Sequence, residues 1–340
     1  MAGRPLNGLT EGLRASAPLR LDLAGGWTDV PPFSTVEGGA VVNVAIRLSA
    51  TAQWLPGGQG IRLFSRDLRE ELHGVRLDQL DQSGKLRLLR AALRVTPVDP
   101  PFSLETDCEA PPGSGLGSSG AVDVALARVL TSANGTDASP KELAELARKA
   151  EAEVAGVAGG KQDQYAAAFG GFHLFEFQDP EVSVRPLQLD ADFASALARQ
   201  TVLCYTGQSR ISGNTITRVM TAYADGVRAV TGALLELKEL AHAMADALVA
   251  ADLERVAVLL SRNWRCQQEL DPGMQTDLMK QLEAAAAAAG ALGGKAAGAG
   301  AGGSMFFVMP DDPAPLIEAA TTLGMTVMPV EWSREGIRSC

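Results

Sequence analysis

Apolar and polar residues alternate from Arg14 to Ala52, interrupted by a Gly/Pro-rich turn, GGWTDVPPFSTVEGG. The segments flanking that turn, LRLDLAGG and AVVNVAIRLSATAQW, have the period of two half-buried strands. In the first of them Leu19, Leu21 and Leu23 share one face, and Arg20 and Asp22 share the other. Residues 61–77 predict another strand and turn, residues 82–95 a helix, and FSLETDCEA a strand. AVDVALARVLTSAN then places Val122, Leu126 and Val129 on one helical face, with Asn134-Gly135 as its stop. Pro140 opens a further helix that runs to about Val154. FHLFEF reads as a strand, residues 179–192 as a linker, and Leu203–Tyr205 as a short strand. Amphipathic helices follow between Asn214 and Ala288. MFFVMP, PAPLIEAATTLG and TVMPVEW close the chain as strand, helix and strand, while residues 1–13 form a loose polar lead-in. A strand-rich first half and a helix-rich second half predict an α+β protein of two lobes, 1–185 and 186–340.

The 340 residues suffice for two ordinary domains with ample core, and 46% apolar with 21% charged residues is a globular composition. The formal net charge of −10 disfavours sequence-independent binding to nucleic acid or to an anionic membrane. It leaves room for a local basic site facing a small anionic substrate. The four cysteines, Cys108, Cys204, Cys266 and Cys340, form no CxxC pair. They predict neither a zinc site nor a disulfide framework, but free thiols in a reducing compartment. No apolar signal region opens the chain, and no apolar run approaches the roughly 18 residues of a membrane span. The expected location is the cytoplasm.

Four segments carry chemistry. The strongest is Pro111-Pro112-Gly113-Ser114-Gly115-Leu116-Gly117-Ser118-Ser119-Gly120, set between an apolar strand and an amphipathic helix. Closely spaced glycines let backbone N–H groups converge on an anion, and the next helix aims its positive end there. Serine hydroxyls can bond phosphate or Mg²⁺. No Lys-Ser/Thr follows the last glycine, so the segment is not a Walker A loop. A flexible linker would not sit between two such elements. Second, Glu151 and Asp163 flank a glycine turn. Phosphoryl transfer to an alcohol needs a metal-holding carboxylate and a group that aligns or deprotonates the hydroxyl. Glu153 competes with Glu151 for the first role. Third, Arg20 and Asp29 lie around a Gly-Gly turn, and a turn carboxylate is suited to sugar hydroxyls. A surface arginine and a turn-capping aspartate read equally from the spacing. Fourth, Gly298–Ser304 would allow close backbone approach to a ligand, or serve as a mobile loop. The three histidines are scattered, and His173 reads as a packed strand residue.

In this order the segments resemble the GHMP kinases (galactokinase, homoserine, mevalonate and phosphomevalonate kinases). APLRLDLAGGWTDVPP is similar to that family's first motif, PPGSGLGSSGA to its second and KAAGAGAGGSMFF to its third. Within the family, GGKQDQYAAAFGGFHLFEF and YTGQSR look most like the D-glycero-D-manno-heptose 7-phosphate kinases, and GGWTDVPP like the fucokinase domain. Both subgroups phosphorylate an anomeric hydroxyl. The resemblance implies an N-terminal domain like ribosomal protein S5 domain 2 and a ferredoxin-like C-terminal domain. It implies ATP over Pro112, Gly113, Ser114, Gly115, Leu116, Gly117, Ser118 and Ser119, with Mg²⁺ held by Ser119 and Glu151. Asp163 would be the base or hydroxyl orienter, Arg20 would stabilise charge on the transferred group, and Asp29 would bind the sugar with Gly26, Trp27 and Gly300. Lys161 and Arg210 are candidates for the anionic end of a phosphorylated sugar, and read equally as solvated cations. The implied partner is a sugar or sugar phosphate, with no nucleic acid and no membrane; a homo-oligomer is left open. A non-catalytic sensor of sugar and nucleotide is the alternative of another class, although a pure binder needs neither Glu151 nor Asp163.

Overall fold

The computed structural model describes residues 12–80, 84–156, 159–208 and 213–340. Two sheets organise the chain. The first opens with β1 (Leu13–Ala24), the single-turn helix α1 (Phe33–Val36) and the 18-residue β2 (Gly39–Pro56). It continues through β3 (Ile61–Ser65), β4 (Glu70–Gly74), α2 (Arg87–Val95) and β5 (Phe102–Cys108). Helices α3 (Ser118–Ala133), α4 (Pro140–Lys149) and α5 (Gln162–Phe169) precede β6 (Phe172–Gln178) and β7 (Glu181–Pro186). The second sheet spans α6 (Ala191–Gln200), β8 (Thr201–Tyr205), α7 (Gly213–Ala224), α8 (Arg228–Val249), α9 (Leu253–Leu270), α10 (Asp277–Ala288), β9 (Gly293–Ala296), β10 (Ser304–Val308), α11 (Ala314–Thr322) and β11 (Thr326–Met328). A two-residue strand, β12 (Arg338–Ser339), ends the chain.

β2 is the spine of the first sheet. It pairs with β1 along its length, with β6 through residues 39–44 and with β5 through residues 50–56. The order is β12-β1-β2-β5-β3-β4, with β6 and β7 branching from β2. Its one parallel pair, β3 with β5, is joined through β4 and α2. The second sheet, β11-β8-β10-β9, is antiparallel throughout. The final strand β12 crosses back to the edge of the first sheet, where Ala15 pairs with Ser339.

The alternation in β1 appears as Leu19, Leu21 and Leu23 in the core, but Arg20 and Asp22 on the other face are buried too. They are covered because the second sheet closes over that face, and one apolar cluster runs through both halves. α3 packs on β1 and β2, and α8 lies on the same two strands. The chain departs from its local pattern in three places. Residues 162–169, a glycine-bounded segment with no helical stripe, form α5, which its buried face from Gln164 to Ala168 holds in place. The linker expected at 179–192 contains β7, paired edge-on with β6. The helix from Pro140 ends as a π-turn over Ala150–Val154; such turns often mark functional sites. His173 is half-buried, stacked on Phe175 with ring centroids 5.4 Å apart. Among the described residues no helix is long and apolar enough to cross a membrane.

Candidate functional site

The glycine-serine segment forms the turn between β5 and α3. Gly113, Gly115 and Gly117 all take left-handed backbone angles, with φ of 73°, 77° and 73°, which a β-carbon would strain. Gly117 caps α3 at its N-terminus, so the helix begins at Ser118 and points its free N–H groups into the cleft. The neighbouring main chain clamps the loop. Arg20 N donates to Leu116 O at 3.0 Å, and Ser304 N to Ser114 O at 2.8 Å. The second bond means that the glycine segment at 298–304 packs directly on the glycine-serine turn as a second wall. Further support is buried: Gln267 Nε2 donates to Gly298 O at 3.0 Å, and Asn263 Oδ1 accepts from Gly25 N at 2.9 Å. Asn263 and Gln267 bond each other one turn apart on α9, and the sequence offered only an ordinary amphipathic helix as their signal.

A cavity of about 280 Å³ opens between these walls. Arg20, Gly26, Trp27, Asp29, Ser119, Glu151, Asp163 and Gly300 line it, together with Gly113, Ser114, Gly115, Gly117 and Ser118 of the loop. Two loop candidates stand apart. Pro112 is exposed outside it, and the Leu116 side chain is fully buried in the core, so only its backbone serves the loop. Lys161 lines an adjoining cavity instead, where its ammonium meets Asp179 at 3.0 Å and Glu145 at 3.6 Å. Arg210 and the Glu153 side chain lie outside the described residues.

Arg20 joins the parts of the site. Its Nε and Nη2 both reach Asp163 Oδ1, at 2.8 Å and 2.7 Å, and its Nη1 donates to Gly115 O at 2.7 Å and Ala297 O at 3.0 Å. One guanidinium thus ties β1, both glycine segments and the first turn of α5 together. A β-carbon on Gly117 would lie 3.1 Å from Arg20 Cγ and 3.3 Å from Asp163 Cγ, so the loop and the Arg20–Asp163 pair are in direct apposition.

Glu151 sits on the π-turn and is buried. Ser119 Oγ donates to its Oε1 and Gln164 Nε2 to its Oε2. Burial pushes the Glu151 carboxyl up, the Ser119 hydroxyl opposes that, and the Asp163 charge adds to it. Asp123, one turn after Ser119 on α3, is fully covered, with both oxygens bonded to no described residue. Burial, and then the Glu151 charge, raise its pKa well above the carboxylate range. Ser119 Oγ and the Glu151 carboxylate, bonded to each other and with the Arg148 charge acting on the latter, are oxygen ligands of the kind a divalent cation takes.

Asp29 also lines the cavity. Gln162 holds it twice, by N–H to Oδ2 at 3.0 Å and by Nε2 to Oδ1 at 3.1 Å. A β-carbon on Gly160 would run into this carboxylate. Neither partner was legible from spacing. Beside it Trp27, at φ 83°, is a non-glycine residue in the left-handed region, a conformation that costs of order 1–3 kcal/mol. The Thr28 hydroxyl fixes that turn: its Oγ1 lies 2.7 Å from Gly25 O and 3.0 Å from Ala40 O, which share its one proton, and accepts from Ala40 N at 3.0 Å. The Trp27 Nε1–H is buried and bonds to no described residue.

Burial lifts the Asp29 pKa to about 6, against the opposing Gln162 N–H and with help from the Asp163 and Asp22 charges. An acid whose folded pKa is raised binds its proton more tightly folded than unfolded. Its stabilising contribution is therefore complete below its ordinary value of 3.8 and is lost as pH rises through about 6. Relative to Asp29→Asn, the wild-type chain should lose about 3 kcal/mol of stability across that window. Urea unfolding of both proteins at several pH values checks this. A constant difference between them would contradict a buried, ionising Asp29.

Comparison with known proteins gives the family. The family model for the GHMP kinases N terminal domain matches residues 85–171, which include the loop, Glu151 and Asp163, and that for the GHMP kinases C terminal matches residues 244–322. The D-glycero-alpha-D-manno-heptose 7-phosphate kinase of Campylobacter jejuni is 32% identical over 96% of this chain and 98% of its own length. The bifunctional fucokinase/GDP-fucose pyrophosphorylase of Arabidopsis thaliana is 28% identical over 79% of this chain, but over only 27% of its own length. The crystal structure of a D-glycero-D-manno-heptose 1-phosphate kinase from Bacteroides thetaiotaomicron superposes with a TM-score of 0.79 at 29% identity, covering 96% of this chain and 98% of that one. With both parts of the family matched in order, and a relative alike along nearly its whole length, the chain belongs to the GHMP kinases.

Proposed function

We propose that this chain is an ATP-dependent sugar kinase that phosphorylates the anomeric hydroxyl of D-glycero-D-manno-heptose 7-phosphate, giving the 1,7-bisphosphate. The observation that carries the reading is the Arg20–Asp163 pair set against the glycine loop within one cavity. ATP phosphates lie on the N–H groups of Gly113–Ser119, at the positive end of α3. The sugar occupies the Asp29 end, where the carboxylate accepts from its hydroxyls and Trp27 Nε1–H is a free donor. Asp163 receives or aligns the anomeric proton. As the sugar oxygen bonds to the γ-phosphorus, the bond from that phosphorus to the β,γ-bridging oxygen breaks, and ADP leaves with the electron pair. Arg20 lies beside the transferred group and offsets its negative charge. Mg²⁺, when bound at Ser119 and Glu151, would neutralise charge on the β- and γ-phosphates.

We divide the chain into lobes at 1–185 and 186–340, with the substrates between them, the last residue of β7 and the closing residues with β12 belonging to the first sheet. Its place in the reducing cytoplasm accords with four free thiols, two of them buried. A fucokinase-like acceptor is the second reading, favoured by the similarity to the plant fucokinase and by Trp27 in the cavity wall.

An ADP-release assay over heptose 7-phosphate, fucose, galactose, mannose and mevalonate tests both. Turnover should be highest on heptose 7-phosphate and should vanish in excess chelator. Turnover confined to mevalonate would overturn the substrate class, and undiminished turnover in chelator would overturn the metal at Ser119 and Glu151.

A further inference from the structure

The anomeric carbon of a sugar phosphate must face Asp163, so its phosphate must leave the main cavity at the end away from the glycine loop. Among the residues that line the main cavity are Asp29, Val30, Gly159 and Ile216, none of them in the glycine loop. Two further cavities adjoin it there. One, of about 290 Å³, shares Asp29 with the main cavity, and the other, of about 590 Å³, shares Val30, Gly159 and Ile216. Arg148, on the last turn of α4, lines both.

The Arg148 guanidinium is half satisfied. Nη2 donates to Gly159 O at 2.7 Å, which fixes the side chain beside the substrate cavity. Nη1 is buried and donates to no described residue. Among the described residues Arg148 makes no salt bridge. A buried, charged N–H without a partner costs the full desolvation of that group, so such donors in folded proteins generally have an acceptor. An arginine fork with one arm anchored and one arm unpartnered matches a phosphate oxygen, which a small turn of the guanidinium would bring to the buried Nη1. The other cations nearby suit the task less well. Lys161 is held by Asp179 and Glu145, and Lys149 is exposed at the rim.

We propose that Arg148 forms the subsite for the non-reacting phosphate of a sugar phosphate acceptor, through Nη1 at the junction of the two side cavities. The proposal rests on the sugar kinase reading above. It makes Arg148 a specificity-determining residue: a phosphate monoester ends the buried donor's lack of a partner, whereas an unphosphorylated sugar leaves it open.

The test compares kcat/KM for D-glycero-D-manno-heptose 7-phosphate with kcat/KM for the same heptose unphosphorylated, in the wild-type chain and in Arg148→Met and Arg148→Lys. The wild type should prefer the phosphorylated sugar. In Arg148→Met that ratio should fall by roughly 10–100-fold, the scale of a hydrogen-bonded charge pair, mostly through KM for the phosphorylated sugar. Arg148→Lys should fall between, because it keeps the charge and loses the fork; it also carries the test should the methionine variant fail to fold. Equal losses on both sugars would reduce Arg148 to a strut for the Gly159 turn and overturn the subsite. A wild type without preference for the phosphorylated sugar would also overturn it, while leaving the sugar kinase reading intact. Turnover on neither sugar would remove both.

Discussion

Asp163→Asn should lower kcat by roughly 10²–10⁴-fold, the usual scale of general acid–base catalysis, with ATP affinity nearly unchanged. The geometry makes this substitution informative. Both Arg20 donors converge on Oδ1, and among the described residues Oδ2 has no bond. Asparagine can keep its carbonyl oxygen on Arg20, so the pair and the glycine loop behind it stay in place. What changes is the second position, where an acceptor becomes an N–H donor at the place the proposed reading gives the anomeric hydroxyl. A sugar hydroxyl is a poor nucleophile at neutral pH, and losing the group that takes or aligns its proton falls on the transfer step. Turnover measured beside ATP affinity by calorimetry separates the two effects. A folded variant with near-normal kcat would remove Asp163 from the reaction. Parallel losses in kcat and ATP affinity would mean instead that Asp163 acts by holding Arg20 and the loop.

Lys295→Met should cost about 3–5 kcal/mol of stability, because it leaves one charge of a buried pair uncompensated. Lys295 is fully buried, and its Nζ lies 3.1 Å from Asp22 Oδ2 and 2.7 Å from Asp22 O. The ammonium also lies 5.9 Å above the Phe306 ring. Burial pulls the Lys295 pKa down, and the Asp22 charge opposes that. This pair ties β9 of the second sheet to β1 of the first, directly behind the cavity. Asp22→Asn in the Lys295→Met background should recover much of the loss by removing the stranded charge. A double-mutant cycle by urea unfolding measures the coupling. A loss below about 1 kcal/mol for Lys295→Met, the size of an ordinary substitution, would mean that the pair does not bind the halves together.

Much of the site was legible because its signals are local. A glycine-serine turn between a strand and a helix is a contiguous device, and its left-handed backbone angles need glycine at defined positions. The same holds for the alternation of β1 and for the caps of α3 and α4: Ser139 and Glu142 form a capping box within four residues. Arg20, Asp29, Ser119, Glu151 and Asp163 could each be nominated because they lie in or next to such segments, and all five meet in one cavity.

Other parts depended on residues far apart in the chain. α5 has little apolar stripe of its own and becomes a helix by packing between α3, α4 and β1. β7 is a strand because β6 offers it an edge. Lys295 stood within an alanine-glycine tract, where nothing local distinguishes a buried cation from a solvated one. It meets Asp22 across 273 residues, as Arg20 meets Asp163 across 143. Gln162 and Gln164, two neutral side chains two residues apart, diverge to hold Asp29 and Glu151 respectively. By itself the sequence determined the local elements, the glycine-serine turn between strand and helix and the residue types at the site, because backbone sterics and periodicity act over a few residues. Only the tertiary structure decided which charges are paired, which are buried and which, like Arg148 Nη1, are left without a partner among the described residues, because desolvation and ion pairing depend on what segments distant in the chain bring together.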